Sequence, residues 1–120
     1  LLGVGSRTGV ELKLEVPGLM PNSKWKKDNY GEEWQPGENL STAIGQGFVT
    51  TTLIQLAVAY NSIATEGLVV KPFVIRKIVD MDGKTLKESY PQVLRNLQEK
   101  QSNGVQVTKK NFEIVKEGMS

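Results

Sequence analysis

The sequence predicts an α+β fold in which helices cover an antiparallel sheet. Three stretches carry that expectation: a long apolar helix over 52–67, an alternating extended stretch over 10–16, and a β-branched run over 69–80 that a turn and a return strand follow. The helix is the clearest of them. Thr52 is a suitable N-cap, because its hydroxyl can accept from an early backbone N–H that has no intrahelical partner. Gln55, three residues on, can reach back to the Thr52 amide and complete a capping box. Gly67 fits just past the other end, where a left-handed residue closes the last carbonyls. Between the caps, apolar residues from Leu53 to Ala64 cover most of the helical circumference, while Gln55, Asn61, Ser62, Thr65 and Glu66 gather toward the C-terminal end. So apolar a helix belongs in an interior and needs protein on nearly every side.

The other elements follow in order. Leu1 to Gly9 read as the frayed end of a helix and a turn, with Gly3, Gly5 and Gly9 allowing positive φ. The spacing Gly3-x-Gly5 lacks the strand, third glycine and Gly-Lys-Ser/Thr ending of a phosphate loop, so it is read as a turn. Val10, Leu12, Leu14 and Val16 alternate with Glu11, Lys13 and Glu15, the period of a half-buried strand that Pro17-Gly18 stops. Leu19 to Asn39 is read as a long ordered loop pinned by Trp25, Tyr30 and Trp34, with Asn22 or Ser23 capping a single helical turn through Lys27. The same aromatics could line a peptide groove; anchoring against a core is the plainer reading. Val69 to Asp80, the turn Met81-Asp82-Gly83-Lys84 and the return strand from Thr85 form a predicted hairpin. Tyr90 to Gly104 is read as a polar surface loop. Thr108 caps a last helix in which Phe112, Val115 and Met119 share one face.

Composition narrows the function. The chain has 120 residues and a net charge of +2, too small to argue for nucleic acid or an acidic membrane surface. Lys24, Lys26 and Lys27 cluster, but Asp28, Glu32 and Glu33 follow at once, which describes a solvated mixed-charge loop. There is no histidine and no cysteine. That excludes a serine–histidine triad, a cysteine nucleophile and the usual zinc ligand sets within the chain. No apolar run approaches the roughly 20 residues that span a bilayer, and no signal peptide opens the sequence. Starting at Leu1 without a methionine and stopping at Ser120 inside a predicted helix, the chain reads as a piece of something longer.

The order of motifs then becomes informative. Thr8-Gly9-Val10-Glu11-Leu12, Glu15-Val16-Pro17-Gly18-Leu19, Trp25-Lys26, Trp34-x-Pro36-Gly37, Ala43-Ile44-Gly45-Gln46-Gly47 and Leu56-Ala57-x-Ala59-Tyr60 together resemble the transpeptidase domain of class B penicillin-binding proteins, elongation type. The resemblance runs from Leu2 to Val115-Lys116-Glu117-Gly118-Met119, which is similar to the family's late helix. It implies a serine β-lactamase-like fold and a penicillin-sensitive enzyme that cross-links peptidoglycan stem peptides. Such enzymes form an acyl-enzyme at the serine of a Ser-x-x-Lys motif, helped by Ser-x-Asn and Lys-Thr/Ser-Gly motifs. The chain resembles the stretch between the Ser-x-Asn and Lys-Thr-Gly motifs, which places both outside residues 1–120. The resemblance therefore implies no catalytic, cofactor-binding or metal-binding residue here. It implies stem peptides and β-lactams as ligands of the parent protein, cell-elongation proteins as partners, and a place on the outer face of the bacterial cytoplasmic membrane.

Two short matches act as decoys. Ser23-Lys24-Trp25-Lys26 satisfies Ser-x-x-Lys but falls in a proline-flanked loop where the family has no catalytic residue. Lys84-Thr85-Leu86 begins like Lys-Thr-Gly, yet leucine stands where glycine would let substrate approach. No Ser-x-Asn occurs. The chain also departs from the family pattern: Leu53 stands where proline is usual at the first helical position, Lys13-Leu14 replace a proline and a small residue, and Ser41 replaces asparagine. The expectation is the central, non-nucleophilic part of a DD-transpeptidase domain, inert by itself and prone to self-association through exposed apolar faces. The rival is a scaffold module that keeps the fold without the chemistry. A nucleotide site at Gly45-Gln46-Gly47 ranks last, because no basic residue follows to meet phosphate.

Overall fold

The computed structural model describes residues 2–120. In chain order come helices α1 (Ser23–Tyr30), α2 (Pro36–Ala43) and α3 (Leu53–Ala64), strands β1 (Leu68–Lys71), β2 (Lys77–Val79), β3 (Thr85–Glu88) and β4 (Gln92–Asn96), and helix α4 (Lys109–Gly118). The architecture is α+β, as expected, but its antiparallel sheet is two separate two-stranded ribbons, β1–β4 and β2–β3.

Helix α3 starts as its sequence dictates. Thr52 is extended, its hydroxyl accepts from Gln55 N at 3.2 Å, and its own N–H donates to Gln55 Oε1 at 2.9 Å. The far end differs from expectation by one residue. Glu66, at φ 56°, is the left-handed residue, and Gly67 follows at φ 115°. Their N–H groups donate to Ile63 O at 3.1 Å and Ser62 O at 2.7 Å, the paired closure of a Schellman end. Gly67 is required by space as well, since a Cβ there would lie 3.2 Å from the Phe112 ring and 3.4 Å from Leu97.

That close approach marks the core. Val58 of α3, Val69 of β1, Leu97 just beyond β4 and Phe112 of α4 are buried together, with Leu2 and Val107 packed at the edge. Strand β1 leaves α3 directly after Gly67 and pairs with β4, Leu68 opposite Asn96 and Lys71 opposite Gln92, with a bulge between Val69 and Val70. Leu97 N donates to Gly67 O at 2.8 Å, which carries the pairing up to the helix end.

Several expectations are corrected. Residues 10–16 form no strand: Leu14 adopts φ 65°, and of the four alternating apolar residues only Val10 is buried. A local interaction outcompetes extension here. The Glu15 carboxylate accepts from Thr8 N at 2.6 Å, Thr8 Oγ1 at 2.6 Å and Gly9 N at 3.2 Å, closing 8–15 into a turn. Residues 2–9 hold a turn and no helix; Leu1 lies outside the described residues. The supposed loop from Leu19 to Asn39 contains all of α1 and the start of α2. Asn22 is the N-cap of α1, accepting from Trp25 N at 2.9 Å, and Gly31, at φ 70°, closes its other end. Pro36 opens α2, and the Glu38 carboxylate accepts the Gln35 N–H at 2.6 Å.

The run from Val69 to Asp80 is interrupted after Lys71, so only its last three strand residues pair with β3 as a hairpin. Its first part pairs instead with 92–96, which the sequence placed in a loop. On α4, Thr108 takes the N-cap position and Phe112 is buried, but Val115 and Met119 are exposed.

The molecule is extended, 62 × 35 × 30 Å, with a radius of gyration of 17.8 Å. A compact chain of this length has roughly 14 Å. Its accessible surface of 8906 Å² likewise exceeds the roughly 6,400 Å² of a compact monomer of this mass.

Candidate functional site: a buried glutamine brace and the grooves beside α3

Gln55 is fully buried, and its side chain joins three separate pieces of chain. Its Nε2 donates to Ser6 O at 2.7 Å and Pro17 O at 2.6 Å, while its Oε1 accepts from Thr52 N and, at 3.1 Å, from Thr51 Oγ1. Both donors and both acceptor sites of the amide are used, which is the condition for burying it without a large desolvation penalty. Gly18 makes the approach feasible, because at φ 64° a Cβ would lie 2.5 Å from Thr50 O and 2.8 Å from Gln55 Oε1. Sequence reasoning gave Gln55 its cap but grouped it with the polar end of the helix. The missed signal is its spacing: positions 55, 58, 59 and 62 lie on one helical face, and all four are buried.

Outside that face α3 is largely uncovered. Leu53, Leu56 and Tyr60, three and four residues apart, form an exposed ridge. On one flank Ile54, Ala57 and Asn61 face Val70, Pro72 and Phe73 across a groove of about 540 Å³. On the other, Tyr60, Ile63 and Ala64 meet Lys116 and Met119 around a second groove of about 450 Å³. The first is apolar except for Asn61, Thr65 and Lys71. Thr65 Oγ1 already donates to Asn61 O at 2.7 Å. The lining can bury apolar surface but pairs no hydroxyl with a base.

The decoys find structural employment. Ser23 is exposed at the start of α1. Lys26, three residues on, is buried, and its ammonium lies 2.9 Å from the Glu38 carboxylate and 3.4 Å from that of Glu32. The hydrogen bond to Glu38 raises its pKa against the opposing effect of burial, and Glu32 adds to the rise. A lysine held this firmly as a cation is the reverse of the base that Ser-x-x-Lys chemistry requires. Lys84 and Thr85 are exposed at the exit of the hairpin turn, where Lys84 N donates to Asp80 Oδ1 at 2.8 Å. In Gly45-Gln46-Gly47, the Gly45 and Gln46 N–H groups donate to Thr42 O and Ser41 O at 3.1 and 2.8 Å, ending α2. These two amides are therefore not free to cradle phosphate.

Trp25 and Tyr30 anchor the α1 region with a third ring, Phe48, at centroid distances of 5.0–5.7 Å. Trp34 stands apart from this set, donating from Nε1 to Asn39 Oδ1 at 2.9 Å. Among the carboxylates depressed by their partners are Glu15, by the Thr8 hydroxyl above all, and Glu66, by Lys116, whose Nζ is 2.8 Å away. Glu66 thereby ties α4 to the end of α3. Among the described residues no cluster of histidine, cysteine, aspartate or glutamate is placed to hold a metal ion.

A sequence model of the penicillin binding protein transpeptidase domain matches residues 1–120, so the chain belongs to that family. Within it the likeness is to class B, elongation-type members. The peptidoglycan D,D-transpeptidase MrdA of Acinetobacter baumannii is 45% identical over 74 residues, 62% of this chain and 11% of that protein. MrdA of Escherichia coli K12 is 34% identical over 82 residues, 68% of this chain and 13% of that protein. Among solved structures, penicillin-binding protein 2 of Pseudomonas aeruginosa superposes with a TM-score of 0.73 at 30% identity, over 98% of this chain and 24% of that one. Penicillin-binding protein 2 of Helicobacter pylori, solved in complex with MreC, gives 0.68 at 28% identity over 98% and 19%. The chain thus spans only a fraction of the length of the proteins it matches.

Proposed function

We propose that residues 1–120 form the central, bracing part of a peptidoglycan D,D-transpeptidase domain, between its Ser-x-Asn and Lys-Thr-Gly motifs. The observation that carries this reading is the family match over residues 1–120 together with the ion-paired Lys26, which leaves the chain's Ser-x-x-Lys match without a base. The parent enzyme cross-links stem peptides through an acyl-serine and is acylated by β-lactams. It works on the outer face of the bacterial cytoplasmic membrane, through an anchor outside these residues; no helix among the described residues is long and apolar enough to cross a membrane. Proteins of cell elongation are its partners, by analogy with the Helicobacter pylori complex with MreC. The chain by itself is inert, and its surplus of surface supports self-association when it is alone.

The test is acylation by a fluorescent penicillin, applied to this chain and to a longer protein carrying both flanking motifs. Labelling of the longer protein alone is expected. Labelling of the short chain overturns the assignment of Ser23, and silence from a folded longer protein favours the scaffold.

A further inference from the structure

The segment between β4 and α4 is pinned at its base and exposed at its tip. At the base, Leu97 N donates to Gly67 O and Val107 N to Leu97 O at 2.9 Å, while Gln98 Nε2 donates to Glu66 O at 2.6 Å and Gln101 Nε2 to Asn96 O at 2.7 Å. The tip is a turn closed on itself: Gln101 N donates to Val105 O at 2.9 Å, and Gly104 N to Gln101 O at 2.8 Å. Residues 102–105 are exposed, and Gly104 takes φ 79°. Asn103 stands immediately before this glycine, and its Oδ1 accepts from Val105 N at 3.1 Å. That bond draws electron density from the side-chain carbonyl and folds it back toward the Gly104 peptide.

The other asparagines are held differently. Asn29, Asn39, Asn61 and Asn111 lie within helices, where the next nitrogen is committed to the helix ladder. Asn22 turns its oxygen to Trp25 N as the cap of α1. Asn96 is the closest control. Its Oδ1 accepts from Gln98 N at the same 3.1 Å, but the next residue is Leu97, which is 1% exposed and gives its N–H to Gly67 O beside the core.

We propose that Asn103-Gly104 is a self-modification site, where the side-chain amide is lost through a cyclic imide and a carboxylate replaces it. Gly104 N gives its proton to solvent base and bonds to Asn103 Cγ, and the Cγ–Nδ2 bond breaks with release of ammonia. Water then opens the ring at either carbonyl, giving aspartate or its β-linked isomer. One water is consumed and one ammonia released, and nothing is oxidised or reduced. The Gly104–Gln101 bond must open first, which an exposed turn does at lower free energy than the core. Gly104 carries no Cβ to hinder ring closure, and nothing lies within 4 Å of where one would stand. The product adds a negative charge, taking the formal net charge from +2 to +1. Aspartate keeps the Val105 N–H in a charge-assisted bond. The β-linked isomer puts an extra atom into the backbone of the turn and breaks its Gln101–Val105 closure. The inference does not rest on the proposed catalysis.

The experiment is incubation of the whole chain, folded and in urea, at neutral and mildly alkaline pH, followed by tryptic digestion and mass spectrometry. Cleavage at Arg95 and Lys100 puts Asn96 and Asn103 in separate peptides. In the folded chain the peptide carrying residue 103 is expected to gain one dalton, at a rate rising in proportion to hydroxide, and to split into two chromatographic forms. The peptides carrying the other asparagines keep their mass, and Asn103→Gln removes the gain. Mass gain at Asn103 in urea but not in the folded chain would show that the Gly104–Gln101 bond protects the site. Gain at Asn96 at the same rate would show that neither the glycine nor the exposed turn selects it. Either result overturns the proposal.

Discussion

The two ribbons are built alike and fare differently. Each is a two-stranded antiparallel pair with one bulge, and each carries valine beside that bulge, Val69 in β1 and Val79 in β2. Val69 is 2% exposed and Val79 49%. The difference lies in what stands behind them. β1 emerges from α3 through the Schellman end and is covered by α3, Phe112 of α4 and Leu97, while among the described residues no helix packs on β2 or β3. A bare two-stranded pair is marginal in water. Alternation and β-branching make a strand possible, and a second layer makes it stable.

The comparison can be broken most forcefully at Leu97. Leu97→Ala deletes a fully buried side chain where the helix-backed ribbon meets Phe112, and should cost about 2–5 kcal/mol in urea unfolding. Leu86→Ala in the bare ribbon should stay within about 0.5 kcal/mol. Next comes the brace. Gln55→Leu keeps the volume but leaves Ser6 O, Pro17 O and Thr52 N unpaired, a loss of about 1–3 kcal/mol or more. Gln55→Ala losing nothing would show that these groups find water instead.

Smaller effects sharpen the picture at its edges. Leu53 is the first residue of α3 and is exposed, and Thr52 before it already has the extended conformation that precedes proline. Leu53→Pro should raise stability by about 0.4–1 kcal/mol, read as a higher melting temperature. For the turn that displaced the expected strand, the sign follows from linkage. Glu15 is depressed in the folded chain, chiefly by the Thr8 hydroxyl. Its contribution is therefore present above the ordinary glutamate value of about 4.3 and is lost as pH falls through the depressed one. Glu15→Gln should flatten that acid limb of the stability profile; an unchanged limb would remove Glu15 from the account.

Much of this was legible in the sequence because the signals were local. Thr52 and Gln55 announce a helix start, Asp82-Gly83 a turn, and the order of motifs from Thr8 to Tyr60 the family. What stayed hidden depended on partners distant in sequence. Nothing near Gln92–Asn96 says that Val69 will pair with it, and the alternation over 10–16 could not reveal that Glu15 prefers Thr8 to a sheet. Pro36-Gly37 read as loop, although proline at a first helical position opens α2. For the candidate site, the start of α3 was predicted and its far end to within one residue, but the burial of Gln55 was not, because its two carbonyl partners lie 49 and 38 residues away. Lys26 was assigned to a solvated mixed-charge loop for the same reason: its carboxylates come together only when α1 and α2 form.

The most direct test is the matched pair Val69→Ala and Val79→Ala, the same deletion at the same kind of ladder position, compared by urea unfolding. The helix-backed site should lose about 2 kcal/mol and the bare one no more than about 0.5. Equal losses would contradict the claim that α3 is what turns one of these two ribbons into the core.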